Sequence, residues 1–298
     1  MHAAAILALG LATTAASAFV LEAPDGDAPV RLGPGWLSTD ANEYNLSTDA
    51  DSRLLVFGRS TTGDFQDAKI WMAARDGDGW SKPALAAFSD PRWRDSDPWL
   101  TSDGRWLYFV SNRPAPDREP RDDMDLWRAP VVNGRIGAPE HLAAASSPGE
   151  ELGPEVHDGW LVFNSTRADG PARLALYRAR VADDVGPAEA MPAPFNDGLA
   201  QGDLTFSPDG RVALFWSIRG DTRDPDLFVT HRDGDGWSAA RRVPAPFNGP
   251  GMDFTPAFSV DSTRVTWASQ RTPAGDAVDA ARRADLYVAR SEVLLRGP

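Results

Sequence analysis

The sequence predicts an all-β fold, a five-bladed β-propeller with four antiparallel strands in each blade. Three observations predict it. Five apolar strands recur along the 298 residues, each is preceded by a short turn, and no segment of useful length shows helical periodicity. The length alone permits either one large domain or two small ones, so the repeat decides the fold.

The repeat has a regular spacing. Consecutive anchor aromatics are separated by 52, 54, 52 and 52 residues, and they are Phe57, Phe109, Phe163, Phe215 and Trp267. A short strand precedes each turn, a third strand such as DLWRAPV or DLFVTHR follows each anchor, and DGDGW leads into a fourth. Each unit therefore holds four short strands, which is the content of a propeller blade.

The domain prediction has three parts. Residues 1–18 read as a signal peptide with a small-x-small cleavage site at Ala16-Ser17-Ala18. Residues 19–298 form a single propeller, with blades at about 43–94, 95–150, 151–200, 201–252 and 253–298. The fifth repeat ends without a fourth strand, so we expect residues 28–33 to supply it, because an open sheet edge invites aggregation.

The composition excludes several classes of protein. The net charge is −13, with 43 acidic and 30 basic residues, which argues against binding to a nucleic-acid backbone. There is no cysteine, so disulfides and cysteine zinc sites are excluded. No segment has the length and apolarity of a transmembrane helix. We expect a periplasmic or secreted monomer.

The acidic residues at the beginning of the innermost strands are the most suggestive set. They are Glu43, Asp95, Asp97, Glu151, Asp203 and Asp253. Carboxylates that converge on one mouth of the channel would repel one another, which raises pKa values or recruits a divalent cation. The alternative is that they accept backbone N–H bonds and stabilise the loops. Trp93, in a loop without counterparts in other repeats, is a further candidate for ligand stacking or for pinning its loop.

A second recurring set receives a structural interpretation. Arginines follow four anchor strands, and aspartates open three of the third strands; these are Arg113, Arg167, Arg219, Arg271, Asp125, Asp226 and Asp285. We interpret them as ion pairs that tie the second strand of a blade to the third. The histidines have no metal-ligand spacing, and no G-x-S-x-G elbow is present, so no catalytic residue is assigned.

The order of these motifs resembles the TolB-like propeller repeat, the Pro-Asp relative of the WD repeat. It is carried by DSDPWLTSDGRWLYFVSNR with MDLW, GDLTFSPDGRVALFWSIR with PDLF, and DFTPAFSVDSTRVTWASQR with ADLY. Repeat one departs, with GRST in place of S-x-R, and repeat three lacks the Asp before its third strand. The resemblance implies a lone exported propeller, without the additional α/β domain of TolB or a hydrolase domain.

Two functions follow from this interpretation. The first is a module in the cell envelope that binds a protein or a small ligand, with no cofactor required and room for a divalent cation at the channel mouth. The alternative is a glycan-active enzyme, a glycosidase or lyase, that uses carboxylates at the channel mouth. In both cases we expect binding on the face where the innermost strands begin, because that face collects long loops that differ between repeats.

Overall fold

The computed structural model describes residues 26, 28–77, 79–116, 118–281 and 283–296. The predicted signal peptide lies outside these described residues. Over them the chain forms five small antiparallel sheets arranged as a five-bladed β-propeller, which confirms the predicted fold class. No helix within these ranges is long and apolar enough to cross a bilayer.

Strand β1 spans Val30–Arg31 and precedes the first blade. The first blade holds β2 (Asn42–Thr48), β3 (Leu54–Ser60), β4 (Lys69–Asp76), β5 (Gly79–Trp80) and β6 (Ala84–Leu85). The second holds β7 (Asp95–Leu100), β8 (Trp106–Ser111), β9 (Asp125–Val132), β10 (Arg135–Ile136) and β11 (Glu140–His141). The third holds β12 (Glu151–His157), β13 (Trp160–Ser165), β14 (Ala175–Val181) and β15 (Val185–Ala190).

The fourth blade holds β16 (Ala200–Phe206), β17 (Val212–Ile218), β18 (Asp226–Asp233), β19 (Gly236–Trp237) and β20 (Arg241–Arg242). The fifth holds β21 (Asp253–Phe258), β22 (Arg264–Ser269) and β23 (Asp285–Arg290), and a short helix α1 (Glu292–Leu295) follows. In blades one, two and four the outer strand is interrupted, and both of its pieces pair with the third strand.

The ring is closed by the N-terminal strand, as the missing fourth strand predicts. Strand β1 pairs antiparallel with β23, with Val30 opposite Val288 and Arg31 opposite Tyr287. An ion pair of 2.8 Å between Arg31 and Asp285 reinforces the junction. The fifth blade therefore draws its strands from both ends of the propeller, which leaves no open edge at this point.

The core lies between the blades, where the anchor aromatics of the second strands pack. All five anchors are fully buried: Phe57, Phe109, Phe163, Phe215 and Trp267. The turns before them are fixed by side-chain caps. In the second blade, Asp103 accepts hydrogen bonds from the Thr101 hydroxyl (2.6 Å) and the Arg105 amide (3.0 Å), and Gly104 takes a φ of +65°. Such turns hold the innermost strands in register around the axis.

Candidate functional site

The innermost strand of every blade carries a β-bulge at its third or fourth residue. The pairing of each of these strands with the second strand of its blade shifts at this point. The bulge residues, as we call them, have φ angles between +47° and +56°; they are Asn45, Asp97, Gly153, Asp203 and Thr255. The bulges turn these five residues into a ring around the channel.

A cavity of about 350 Å³ lies on the side of this ring where the innermost strands begin. We call it the mouth cavity. Its lining includes the following six residues: Tyr44, Phe65, Asp97, Asp203, Trp216 and Phe254. Residues that precede the innermost strands and residues between the second and third strands meet here, as expected for the face where the innermost strands begin. Its volume suits a small molecule.

Asp97 and Asp203 are the two acidic bulge residues, and neither has an ion-pair partner within the described part of the chain. Asp97 accepts hydrogen bonds from the Ser96 hydroxyl (2.7 Å) and the Gly153 amide (2.9 Å). Asp203 accepts one from the Trp216 indole N–H at 2.6 Å. Both carboxyls approach Gly153, because a Cβ at that glycine would lie 2.2 Å from Oδ1 of Asp203.

The closeness of the two carboxyls changes their ionisation. Burial, and then the charge of Asp97, raise the pKa of Asp203 to about 7, although the Trp216 hydrogen bond opposes the rise. Burial also raises the pKa of Asp97. At neutral pH the pair therefore holds a proton for part of the time, so one carboxyl can donate a hydrogen bond while the other accepts.

The other acidic candidates occupy a different environment. Each is fully buried and forms an ion pair with an arginine of the neighbouring second strand or of the residues after it. The pairs are Glu43 with Arg59 (2.8 Å), Asp95 with Arg113 (2.5 Å), Glu151 with Arg167 (3.2 Å) and Asp253 with Arg271 (2.7 Å). Burial raises the pKa of Glu43, Asp95 and Glu151, in Glu151 to about 7, and the guanidinium of each opposes the rise. None of the four acids lines the mouth cavity.

This arrangement corrects the interpretation of the recurring arginines. Three of the four, Arg113, Arg167 and Arg271, tie the second strand of a blade to the beginning of its first strand, not to the third strand. The aspartates of the third strands have other partners: Asp125 pairs with Arg118, Asp226 with Arg242, and Asp285 with Arg31. The strand-opening carboxylate can be reached because Asp95 lies directly opposite Ser111, two residues before Arg113.

The fourth blade explains why Asp203 differs from the other first-strand acids. Gln201, not Asp203, lies opposite the second-strand serine, Ser217, so Gln201 is the equivalent of Asp95. Asp203 is instead the equivalent of Asp97. Arg219 therefore forms no ion pair with the first strand, and it keeps hydrogen bonds to the Pro194 and Phe195 carbonyls, at 3.2 and 3.4 Å.

Trp93 is not among the residues that line the mouth cavity. The guanidinium of Arg92 lies 5.2 Å from the centre of its ring, and its carbonyl accepts a hydrogen bond from Lys69. No group of three or more His, Cys, Asp or Glu side chains within the described ranges could hold a metal ion.

The sequence did not single out the aromatic walls of the mouth cavity. Phe65, in the loop between β3 and β4, has a φ of +59°, which costs a bulky side chain about 1–2 kcal/mol. Its ring meets those of Tyr44 (5.1 Å) and Phe254 (6.2 Å) edge to face. Trp216 resembles a core tryptophan in the repeat, yet it is only partly buried. The available signal was the third or fourth residue of each innermost strand, which in four of the five blades is Asn, Asp or Gly, the residue types that tolerate positive φ.

Comparisons with known proteins identify the fold and leave the family open. No model of a protein family matches the chain, and no curated protein does. A putative TolB from Agrobacterium tumefaciens aligns with a TM-score of 0.53 and 13% identity, over 85% of this chain and 91% of that one. An α-L-arabinofuranosidase from Lactobacillus brevis gives 0.55 and 10%, over 84% and 90%.

A family 117 glycoside hydrolase from Zobellia galactanivorans gives a TM-score of 0.52 and 15% identity, over 87% of this chain and 88% of that one. Similarity at these identities shows a shared fold alone. The chain is thus a propeller whose fold is similar both to a TolB-like protein and to glycoside hydrolases.

Proposed function

We propose that this chain is a binding module of the cell envelope that holds a small ligand in the mouth cavity. One observation carries the proposal. Asp97 and Asp203 lie without an ion-pair partner among the described residues, in a cavity of about 350 Å³ with aromatic walls, whereas the acids that open four of the first strands are each bound to an arginine. An uncompensated pair of carboxyls destabilises a fold, so its presence in a cavity favours a role in binding.

The cavity has the composition of a ligand site. Tyr44, Phe65, Trp216 and Phe254 supply apolar surface, and the two carboxyls supply polar groups that fix the orientation of a ligand. The envelope location rests on the predicted signal peptide, which is proposed together with the function. Protein partners remain compatible with this proposal, because the same face carries the long loops.

The test is thermal unfolding in the presence of defined probes: choline, L-arabinose and glycylglycine, each at millimolar concentration. A ligand at one hundred times its dissociation constant stabilises the folded state by about 2.7 kcal/mol, which raises the melting temperature. We expect at least one probe to stabilise the wild type and not the double variant Asp97→Asn/Asp203→Asn. If none of the probes stabilises the wild type, the proposal is wrong for this cavity.

A second candidate is glycoside hydrolysis, and the Asp97–Asp203 pair favours it. A carboxylic acid with a pKa near neutral, together with a second carboxylate in the same cavity, supplies the two protonation states that the acid and the base of a glycosidase need. An aryl α-L-arabinofuranoside, which releases a coloured phenol on hydrolysis, separates the two candidates. Turnover by the wild type that is lost in both single variants, Asp97→Asn and Asp203→Asn, would favour the enzyme over the binding module.

A further inference from the structure

The mouth cavity has an excess of negative charge. Its lining contains four carboxylates and one guanidinium: Asp64, Asp97, Glu150, Asp203 and Arg94. Arg94 already has partners, because its Nη2 lies 3.4 Å from Glu150 and its Nε lies 3.0 Å from the Met124 sulfur. The charge on the Asp97–Asp203 pair therefore stays largely uncompensated, and walls of low polarity strengthen its field.

The walls of the cavity are aromatic on several sides. Phe65 contacts both Tyr44 and Phe254 edge to face, and Trp216 lies beside Asp203. Aromatic faces attract cations through the ring quadrupole, most strongly where water is displaced. The backbone of Phe65, at a φ of +59°, places one of these rings in the lining of the cavity.

The free polar atoms of the cavity are hydrogen-bond acceptors. Asn45, a bulge residue of this lining, has a buried Oδ1 without a hydrogen-bond partner among the described residues. The ionised carboxyls of Asp97 and Asp203 are acceptors as well. A positively charged group is attracted to such a set of acceptors, whereas an anion would be repelled and a plain hydrocarbon would gain nothing from it.

We propose that the ligand of the mouth cavity is a small organic cation of the alkylammonium class, bound by the Asp97–Asp203 pair and by the faces of Phe65, Trp216 and Phe254. The inference deepens the proposed function and rests on it. The positive head neutralises the carboxyl pair, and the alkyl groups displace water from the aromatic walls. A volume of about 350 Å³ leaves room for a head group with a short chain.

The test compares choline with 3,3-dimethyl-1-butanol, which has the same shape without the charge. Titration calorimetry at pH 8 and low salt keeps Asp203 largely ionised. We expect choline to bind at least tenfold more tightly than the alcohol. We expect the double variant Asp97→Asn/Asp203→Asn to bind choline at least tenfold more weakly than the wild type does. The matched control, Asp233→Asn/Asp235→Asn, removes two exposed carboxylates outside the cavity and should leave binding unchanged.

A second variant separates the aromatic contribution and does not alter the carboxyls. Phe65→Leu keeps an apolar side chain but removes the aromatic ring. It should therefore weaken the binding of choline about threefold or more and leave the binding of the alcohol little changed. Its fold can be checked by circular dichroism, as can that of the double variant. Equal loss for both probes would mean that the aromatic ring acts only by apolar contact, which contradicts its part in the inference.

The failures of this inference and of the proposed function can be told apart. If the alcohol or L-arabinose binds as tightly as choline, and the binding depends on Asp97 and Asp203, the cavity is a ligand site but not a cation site. If calcium chloride binds at this pair and choline does not, the cation is a metal ion and the inference is overturned. If none of these probes binds, both the inference and the proposed function fail.

Discussion

Two positions that lie two residues apart on the innermost strands place carboxylates in opposite environments, and in the second blade both positions are acidic, as Asp95 and Asp97. Asp95 and Asp253 are fully buried and each meets a guanidinium, at 2.5 and 2.7 Å. Asp97 and Asp203 lie at the bulges, without an ion partner within the described chain, and affect each other's ionisation. The comparison shows that the repeated ion pair at the strand-opening position stabilises the fold. The β-bulge two residues later places an acid in the lining of the mouth cavity.

The largest loss of stability should follow from removing the acid of a buried Asp–Arg ion pair. Asp253→Asn leaves Arg271 buried without a counter-charge, although the guanidinium keeps hydrogen bonds to the Pro246 and Phe247 carbonyls. We expect the free energy of unfolding to fall by about 3–5 kcal/mol. Urea denaturation monitored by tryptophan fluorescence measures it. A loss below about 1 kcal/mol would mean that the pair does not stabilise the fold.

The same Asp→Asn change at the bulge residue Asp203 should raise the free energy of unfolding instead of lowering it. Asp203 has a raised pKa, so its contribution to stability is fully present below about pH 4 and is lost as the pH rises towards 7. Asp203→Asn removes this loss and should stabilise the protein by up to about 3 kcal/mol at pH 8, with little change at pH 4.

Urea denaturation at both pH values measures this gain. The groups around Asp203 that share its titration are Asp97, Arg94 and Glu150. Because both proteins retain these neighbours, the difference between wild type and variant reports the ionisation of Asp203 together with its effect on Asp97. A variant that is less stable than the wild type at pH 8 would contradict the contrast between the two sets.

Gly153 lies where the two unpaired carboxyls meet. Gly153→Ala places a Cβ 2.2 Å from Asp203 Oδ1 and 2.6 Å from Asn164 Oδ1, on a backbone with a φ of +56°. We expect a loss of about 2 kcal/mol and weaker binding of choline, because Asp203 must move. Gly234→Ala is the control, since it also has positive φ but has open space at its Cβ. Equal costs at the two sites would show that backbone strain alone is responsible.

The smallest expected difference in stability concerns the arginines of the fourth and fifth blades. Arg219 has no acid opposite it, so Arg219→Met should cost about 1–2 kcal/mol, through lost hydrogen bonds to carbonyls. Arg271→Met leaves Asp253 buried and unpaired, and should cost about 3–5 kcal/mol. Parallel urea unfolding of both variants checks this ratio, and equal costs would contradict a special role for the buried carboxylate.

Much of the fold could be predicted from the sequence, because apolar strands at a fixed period permit few arrangements. The closing strand followed from a missing fourth strand, and β1 fills that place. The site was harder. Asp97 and Asp203 belonged to the predicted acidic set, but Asp203 was grouped with the strand-opening acids.

The reason is that pairing register decides whether an acid meets an arginine, and a bulge shifts register by one residue. Gln201 and Asp203 cannot be told apart by spacing alone. The walls of the cavity come from loops of different blades, such as Phe65 and Phe254, and no local pattern records that they meet.

The central claim is that Asp97 and Asp203 form a pair of carboxyls without an ion-pair partner among the described residues, and carboxyl carbon-13 NMR tests it most directly. In the wild type, Asp203 should titrate near pH 7, and the midpoint should fall in Asp97→Asn, because the neighbouring charge is gone while burial remains. A wild-type Asp203 that titrates near pH 4 and does not respond to Asp97→Asn would contradict the account.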